Sequence, residues 1–446
     1  MLNLNEKLAF FQQLQGSFDD IGALLPTSSS AARAMVREAA RHHGPKRILE
    51  AGPGTGPVTA ELVKLLGPED RLVLCELNAG FVSYLEERFQ REPEFVKVRH
   101  QVRILHASVT DVPEDELFDY IVSAIPFTRL EPELVEQILE KFKTLLNPAG
   151  VLTYIEYQYL RAINTRVSTG SRRERLQRVD RLFKTMLGQH QFRCEPVYRN
   201  VPPAWIRSLR FTEADPEKAL EIQPMKGRKR LRLGPLCVNQ EALGLMAGLG
   251  ALSLLMRRTK GWWLPLMAAG ATALFHRDPE REVRPDPDAV YSACDGRIMG
   301  IEKVRHPRLG DQEWTRVSAF LGLTDVHINR VPVAGKVVDT WEEPGGFAVA
   351  YSPGSEHNFS RYIVLDGVHG RCAVAQRAGL VARKIVTWCA RGELLSQGER
   401  FGMIRFGSRT DIYLPYATAT VLVREGDRVA AGETVVARYV KRSGAS

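Results

Sequence analysis

The chain has 446 residues, of which 44% are hydrophobic and 25% charged, long enough for two or three domains with their own cores. Its net charge of +9 suits an anionic lipid surface or a nucleic acid, but no aromatic-basic RNA-binding signature accompanies it, so no nucleic-acid partner is expected. The six cysteines, at 75, 194, 237, 294, 372 and 389, form no CxxC pair, so neither a disulfide framework nor a zinc or other metal site is indicated.

Leu4, Leu8, Phe11, Leu14 and Phe18 recur at helical spacing, with Asn5, Gln12 and Gln13 elsewhere, which predicts an amphipathic helix. It would pack on the following domain or lie on lipid. Asn3, Asn5 and Glu6 stand where a signal peptide has basic residues, and no long apolar core follows, so no signal peptide is expected.

Residues 47–56 read RILEAGPGTG, an apolar strand running into Glu50-Ala51-Gly52-Pro53-Gly54-Thr55-Gly56 and then a helix through Leu66. About twenty residues on, Leu72–Cys75 ends in Glu76. This is the layout of a nucleotide-binding βαβ unit: glycines admit close backbone approach, and the acid takes ribose hydroxyls. ExGxGxG followed by an acid points to S-adenosylmethionine rather than a dinucleotide. Its sulfonium cofactor has no pyrophosphate to seat on a helix N-terminus, so the leading Glu50 is tolerated. The third strand, 102–105, leads to Ala107 and Ser108 near the adenine position, and the fourth, 120–123, runs into Ala124-Ile125-Pro126-Phe127. The expected cofactor-binding residues are Glu50, Gly52, Gly54, Gly56, Glu76 and Ser108.

With GALLPTSSSAARAM (22–35) and the S-x-x-P-F of Ser123–Phe127, residues 1 to about 200 resemble the bacterial phospholipid N-methyltransferases. The similar ribosomal RNA adenine dimethylases carry Asn-(apolar)-Pro-(Tyr/Phe) at that point. This chain has no Asn there, which argues against base methylation. Amine methylation needs an electrophilic methyl, a neutral amine and in-line positioning, so few side chains beyond the cofactor cradle are predictable. Tyr154, Tyr157 and Tyr159 either stack on a methylated ammonium or alternate along an ordinary strand.

Residues 201–240, with Pro202-Pro203, Pro216 and the basic run 226–232, read as a linker. Two apolar segments follow, 242–256 and 261–275, separated by Arg257-Arg258-Thr259-Lys260. As helices each would be roughly 22 Å long, short of the ~30 Å hydrocarbon core. The pair predicts a membrane-associated helical hairpin over 241–276, dipping into one leaflet or spanning thinly. Trp262 and Trp263 would sit at the interface and the basic run against anionic lipid. A pair of buried core helices is the alternative.

In 401–415, FGMIRFGSRTDIYLP, a Gly407–Ser408 bond lies between strand-like apolar runs. Such a bond is a turn or a self-cleavage site, at which a serine hydroxyl attacks the preceding carbonyl, the acyl group shifts from nitrogen to oxygen, and elimination leaves a pyruvoyl group. Five segments in order, HRDPERE (276–282), SACDGRI (292–298), TDVHINRVPVAGKV (324–337), VAQRAGLVARKI (374–385) and RFGSRTDIYLP (405–415), are similar to the phosphatidylserine decarboxylase proenzymes, particularly their shorter branch. The resemblance implies cleavage between Gly407 and Ser408, with Ser408 as nucleophile and then pyruvoyl precursor. The pyruvoyl group is the electron sink an α-decarboxylation needs. His327 is the implied base or proton donor and Asp295 its orienting partner in a triad-like arrangement. The longer branch has a second histidine where this chain has Arg330, which could hold a phosphate. The tail 421–439 alternates short apolar runs with Gly-Asp and Ala-Gly turns, as in a barrel-sandwich, and no lysine marks a carrier hairpin tip within 425–434.

The expected architecture is an α/β Rossmann-like methyltransferase domain (1–200), the linker, an apolar helical hairpin, and a mostly β, barrel-sandwich-like decarboxylase domain (277–446). The expected function is bifunctional phospholipid biosynthesis at the cytoplasmic side of the cell membrane. Phosphatidylserine would be decarboxylated to phosphatidylethanolamine, whose amine is then methylated toward phosphatidylcholine. The cleaved chains are expected to stay associated, and oligomers are possible. A non-catalytic methyltransferase-fold module, or an RNA adenine methyltransferase, remains the alternative for the first half.

Overall fold

The structure is a computed structural model describing residues 27–127, 130–158, 170–225, 230–234, 236–380, 384–405 and 408–440. The predicted N-terminal helix, Tyr159, Gly407 and Lys226–Lys229 of the basic run lie outside the described residues. The chain divides into two compact units, Met1–Glu213 and Ala214–Ser446.

The first unit is built on seven strands, β1 (Arg47–Ala51), β2 (Arg71–Glu76), β3 (Val102–His106), β4 (Phe118–Ser123), β5 (Leu146–Tyr157), β6 (Gln191–Val197) and β7 (Ala204–Leu209). Their spatial order is β3-β2-β1-β4-β5-β7-β6. β1 to β5 are parallel, and β7 runs antiparallel between β5 and β6. The central strands RILEA and FDYIVS are buried almost throughout, as a parallel sheet covered on both faces requires. The helix Pro132–Leu145 buries Val135, Ile138, Leu139, Phe142 and Leu145, one apolar stripe at helical period. Leu176, Val179, Phe183 and Met186 do the same for the helix Gly170–His190. The strand order reverses between β1 and β4, which opens a crevice at their carboxyl ends.

Residues 201–240 depart from the linker expectation. Pro202-Pro203 ends a turn, but Ala204–Leu209 then enters the sheet as β7, its alternate residues buried. Arg230–Leu233 and Leu236–Asn239 pair as a short hairpin.

In the second unit the apolar segments form two helices of 13 residues, Leu243–Leu255 and Trp263–Phe275. Small residues, Ala269 and Ala273, are buried on the second, and Ser253 Oγ donates to the Trp262 carbonyl oxygen at 2.7 Å. At about 20 Å each they fall short of a bilayer core. Among the described residues no helix is long and apolar enough to cross a membrane, which corrects the thin-spanning option.

The rest of this unit is antiparallel β structure. An eight-stranded sheet runs in the order 394–395, 335–343, 360–367, 370–377, 408–415, 310–321, 296–306 and 428–429. Three-stranded sheets of 289–291, 435–439 and 419–421, and of 328–330, 400–404 and 385–387, complete it.

Candidate active sites

In the first unit the site residues gather at the carboxyl ends of β1 and β2. The Gly54 N–H donates to Glu76 Oε2 at 3.0 Å and the Asn78 N–H to Oε1 at 2.9 Å, so the loop and the acid hold each other in place. A Cβ at Gly54 would meet nothing within 4 Å, and its side of the loop is open. Gly56, at φ +78°, is closed: a Cβ would lie 2.8 Å from Arg88 Nη1 and 2.9 Å from Leu85 Cδ2. Arg88 braces the loop by donating to the Thr55 and Gly56 carbonyls at 2.8 and 3.1 Å. A Cβ at Gly52 would come within 3.1 Å of Ile125 Cγ1.

Glu50 is buried and accepts from Thr59 Oγ1 at 2.7 Å, while its Oε1 has no partner. Burial pushes its carboxyl up to about 8 and outweighs the Thr59 bonds, so it is protonated at neutral pH. Ser108 caps the short helix Val109–Asp111 and accepts from Thr110 Oγ1 at 2.8 Å, so its hydroxyl is engaged within its own turn. It still lies beside Glu76, because the Ala107 N–H donates to the Glu76 carbonyl at 3.1 Å. An open glycine face, a carboxylate aimed from the second strand and an unfilled buried oxygen on Glu50 together fit S-adenosylmethionine. Tyr154 is core, packed against Phe127 and Phe183 at ring distances of 6.0 and 5.4 Å.

In the second unit Ser408 begins the strand Ser408–Pro415 opposite Leu321. It is 0% exposed, and its Oγ has no hydrogen-bond partner. His327, also 0% exposed, sits just before the strand Ile328–Arg330, with its Nδ1 at 2.9 Å from the Asp325 carbonyl oxygen. A carbonyl oxygen only accepts, so Nδ1 carries the proton and Nε2 presents a lone pair. That Nε2 is buried and unpartnered. Burial pushes the ring down to about 4; the Asp325 carbonyl opposes the shift, while Arg277 and His276 reinforce it.

Both residues are aligned by their neighbours two positions on. Asn329 Nδ2 donates to Thr410 Oγ1 at 3.1 Å and its Oδ1 accepts from Gln376 Nε2 at 2.8 Å; Thr387 Oγ1 donates to Gln376 Oε1 at 3.1 Å. Alternation along extended chain puts His327 on the face of Asn329 and Ser408 on the face of Thr410. The Asn329–Thr410 bond thus ties together the two segments that carry the buried Ser408 hydroxyl and the bare His327 nitrogen. On the opposite face, Arg409 and Arg377 each donate to fully buried Asp411 at 2.7 Å. Burial works against the Asp411 charge, but the two guanidiniums outweigh it and hold the carboxyl below the usual range. Arg377 also reaches the Tyr362 and Tyr413 hydroxyls. Ser408 therefore begins a strand that is pinned on both faces.

Asp295 does not join His327. Arg281 takes both its oxygens, Nη1 to Oδ1 at 2.6 Å and Nη2 to Oδ2 at 2.8 Å, and the Ala431 N–H adds a bond to Oδ1 at 2.9 Å. Gly296 follows at φ +148°, where a Cβ would lie 2.0 Å from the Phe320 carbonyl oxygen. Only glycine lets the chain pass there, beside the residue preceding Leu321. Asp295 thus starts a strand two interstrand spacings, about 10 Å, from the Ser408 strand and fixes it through Arg281. The partner of His327 Nδ1 is the Asp325 main-chain carbonyl, not the Asp295 carboxylate. Arg330 is no phosphate holder either: it is buried and donates to the Gly398 and Pro279 carbonyls at 3.0 and 2.9 Å.

Sequence reasoning missed Asp325, Arg281, Asn329, Gln376, Arg377 and Asp411 as parts of this site. All but Arg281, Gln376 and Arg377 lie within three residues of His327 or Ser408, so proximity was the available signal for those.

Comparison with known proteins finds a match for each of the two units. Residues 269–437 match the phosphatidylserine decarboxylase family model, and residues 48–150 match a methyltransferase domain model. A phosphatidylserine decarboxylase proenzyme from Symbiobacterium thermophilum is 45% identical over 202 residues, covering 44% of this chain and 91% of that protein. Another, from Desulfotalea psychrophila, is 44% identical over 177 residues, 39% of this chain and 82% of the relative. Among solved structures, a putative O-methyltransferase from Klebsiella pneumoniae covers 46% of this chain and 88% of its own at 17% identity and TM-score 0.34. An O-methyltransferase from Bacillus cereus, solved with S-adenosylhomocysteine, covers 46% and 89% at 15% identity and TM-score 0.33. The chain belongs to the phosphatidylserine decarboxylase family through its C-terminal unit and carries a Rossmann-like methyltransferase domain ahead of it.

Proposed function

We propose that this chain converts phosphatidylserine to phosphatidylethanolamine and then methylates the ethanolamine nitrogen from S-adenosylmethionine, toward phosphatidylcholine. The observation that carries the first step is the pair of unpartnered buried atoms, Ser408 Oγ and His327 Nε2, in a chain of this family. His327 Nε2 takes the hydroxyl proton as Ser408 Oγ attacks the Gly407 carbonyl, and the same nitrogen returns the proton to the departing nitrogen. Loss of the residue 408 α-proton then expels the Gly407 carboxylate and leaves dehydroalanine, whose imine tautomer takes up water and releases ammonia; the pyruvoyl group so formed at residue 408 would supply the electron sink for loss of CO2. The dry walls around His327 keep its ring neutral and ready to accept.

The methylation reading is supported by joining the two domains in one chain, since the decarboxylase product is a primary amine. The missing Asn at 123–126 speaks against a base as acceptor. Glu76 would take the ribose hydroxyls of the cofactor, Gly54 would admit its backbone-facing edge, and the protonated Glu50 Oε1 would donate to an acceptor on it. Membrane association is supported by the two apolar helices, whose Leu254, Leu255 and Met267 side chains are largely exposed beside Arg257, Arg258 and Lys260. We assign the cytoplasmic face from that basic turn.

Mass spectrometry tests the first step: a fragment beginning at a blocked residue 408 is expected, and an intact chain without decarboxylase activity overturns it. Labelled methyl donor offered with phosphatidylethanolamine and with ribosomal RNA tests the second. Label in the lipid supports it; label in RNA, or no cofactor binding at all, overturns it.

A further inference from the structure

Two histidine nitrogens among the described residues are buried without a partner, and only one belongs to His327. The other is Nε2 of His276, which caps the C-terminus of the second apolar helix and is 2% exposed. Its Nδ1 lies 2.9 Å from the Thr272 carbonyl oxygen, so Nδ1 holds the proton and Nε2 is a bare acceptor. Phe275 connects the two histidines, its ring centroid 5.1 Å from that of His276 and 4.2 Å from that of His327. The charges facing His276 are Arg405, three residues before Ser408, and its ion-pair partner Glu241 at 3.0 Å; Asp325 and Arg277 face His327. Burial, with Arg405 reinforcing it, lowers the His276 pKa and keeps the ring neutral.

A buried acceptor left open is costly unless a ligand supplies the donor. The headgroup of a serine phospholipid offers one kind. Its phosphodiester, carboxylate and ester oxygens are all acceptors and are repelled by a lone pair; its amine nitrogen alone carries protons. We propose that His276 is a specificity residue of the decarboxylase site, its Nε2 accepting a hydrogen bond from the headgroup amine and so aiming that nitrogen at residue 408. This rests on the reading that Ser408 becomes the reactive group. His276 comes from the end of the helix pair, whose outer side carries the exposed Leu254, Leu255 and Met267.

The test uses processed enzyme whose carbonyl has been reduced with borohydride, so that binding is read without turnover. Affinities are measured for glycerophosphoethanolamine, which has N–H donors, and for glycerophosphocholine, which has none. His276→Asn keeps a donor near the Nδ1 position toward Thr272 and removes the Nε2 acceptor. It should weaken glycerophosphoethanolamine by about tenfold and leave glycerophosphocholine unchanged. His276→Gln, whose amide oxygen reaches the Nε2 position, should restore most of the loss, and it serves alone if the Asn variant does not fold: retained discrimination supports the proposal. Equal weakening of both ligands, or no change in either, overturns it. Absence of scission at 408 in the unsubstituted protein would instead sink the Ser408 reading, so the two failures are distinguishable.

Discussion

The Nδ1 of His327 lies 2.9 Å from the Asp325 carbonyl oxygen, two residues earlier in the same turn. A main-chain acceptor, rather than a carboxylate, therefore fixes the tautomer of the ring. Burial pushes the ring down to about 4, outweighing both this bond and the nearby Asp325 carboxylate, which favour the imidazolium. The base is neutral throughout the ordinary pH range. His327→Asn should slow scission about 100-fold or more. Precursor made by cell-free synthesis and shifted between pH 4 and 8 should cleave at a flat rate down to about pH 5. The rate should fall as the ring protonates near 4; a fall centred near 6.5 would contradict the buried, neutral base.

The same depression makes stability depend on pH. In the unfolded chain a histidine binds its proton near 6.5, and in the folded chain His327 does so near 4. Between those values the unfolded state holds more protons, so stability falls as pH drops from 6.5 toward 4. The loss approaches about 3 kcal/mol. Urea unfolding of Ser408→Ala at pH 7 and 4.5 should show it, and adding His327→Asn should remove most of the difference.

Asp295 and Arg281 form a two-pronged pair at 2.6 and 2.8 Å. Removing Arg281 leaves the Asp295 carboxylate buried without its cation, at a cost of about 3–5 kcal/mol; removing Asp295 costs less, because Glu433 still faces Arg281 at 3.6 Å. Arg281→Gln should thus destabilise more than Asp295→Asn, and the double variant by little more than Arg281→Gln alone. If Asp295 instead oriented His327, Asp295→Asn would slow scission far more than Arg281→Gln despite destabilising less.

These residues show what was legible in the sequence. The strands β1 to β4 were readable because parallel strands buried on both faces are written as short apolar runs, and Gly54 and Glu76 follow from where those runs stop. β7 was not: its apolar residues follow Pro202-Pro203, which reads as a break, and only pairing with β5 and β6 makes it a strand. Ser408 and His327 were found by motif. Asp295 reads from the motif as the orienting partner of His327, and its actual partner was not readable. An aspartate can pair with any nearby cation, and Arg281 reaches it through the fold. His276 was not readable because it ends an apolar helix far from His327 in sequence, and only the fold sets both rings against Phe275.

Scission should not release the short chain. Ser408–Pro415 is paired along its whole length with Trp314–Leu321 and from Arg409 to Tyr413 with Ala373–Arg377, and Arg409 and Asp411 add buried ion pairs. The new terminus is therefore an inner strand of the larger chain's sheet. Size-exclusion chromatography should co-elute both fragments at neutral pH, and separate them only in denaturant. Asp411→Ala leaves Arg377 and Arg409 unpaired beneath the strand and should lower the denaturant midpoint for separation.

In the methyltransferase unit, Gly54→Val should abolish S-adenosylmethionine binding by filling the open side of the loop and by straining its backbone at φ +56°. Glu76→Gln should weaken it about tenfold through the lost charge-assisted bonds to the ribose. Calorimetry on the full chain reads both. Decarboxylation should persist in each variant, because neither substitution touches the unit that holds Ser408. Loss of decarboxylation together with cofactor binding would mean that the variants had unfolded the protein.

The apolar helices make a separable prediction. Trp262 and Trp263 are each 45% exposed and Leu255 81%, on a turn that also bears Arg257, Arg258 and Lys260. In water this surface is unfavourable; against a bilayer it gains both apolar burial and about 1 kcal/mol per basic residue near anionic lipid. Sedimentation with vesicles containing phosphatidylserine should pellet the protein, more weakly as salt rises. Replacing both tryptophans with glutamate should release it, while the soluble headgroup analogues still bind at the site. Neutralising Arg257, Arg258 and Lys260 should remove the salt dependence and leave a weaker, salt-insensitive attachment, because the tryptophans and leucines remain. If the helices packed against protein instead, vesicles would not pellet the chain at any salt concentration, and the glutamate variants would lose folding stability rather than lipid.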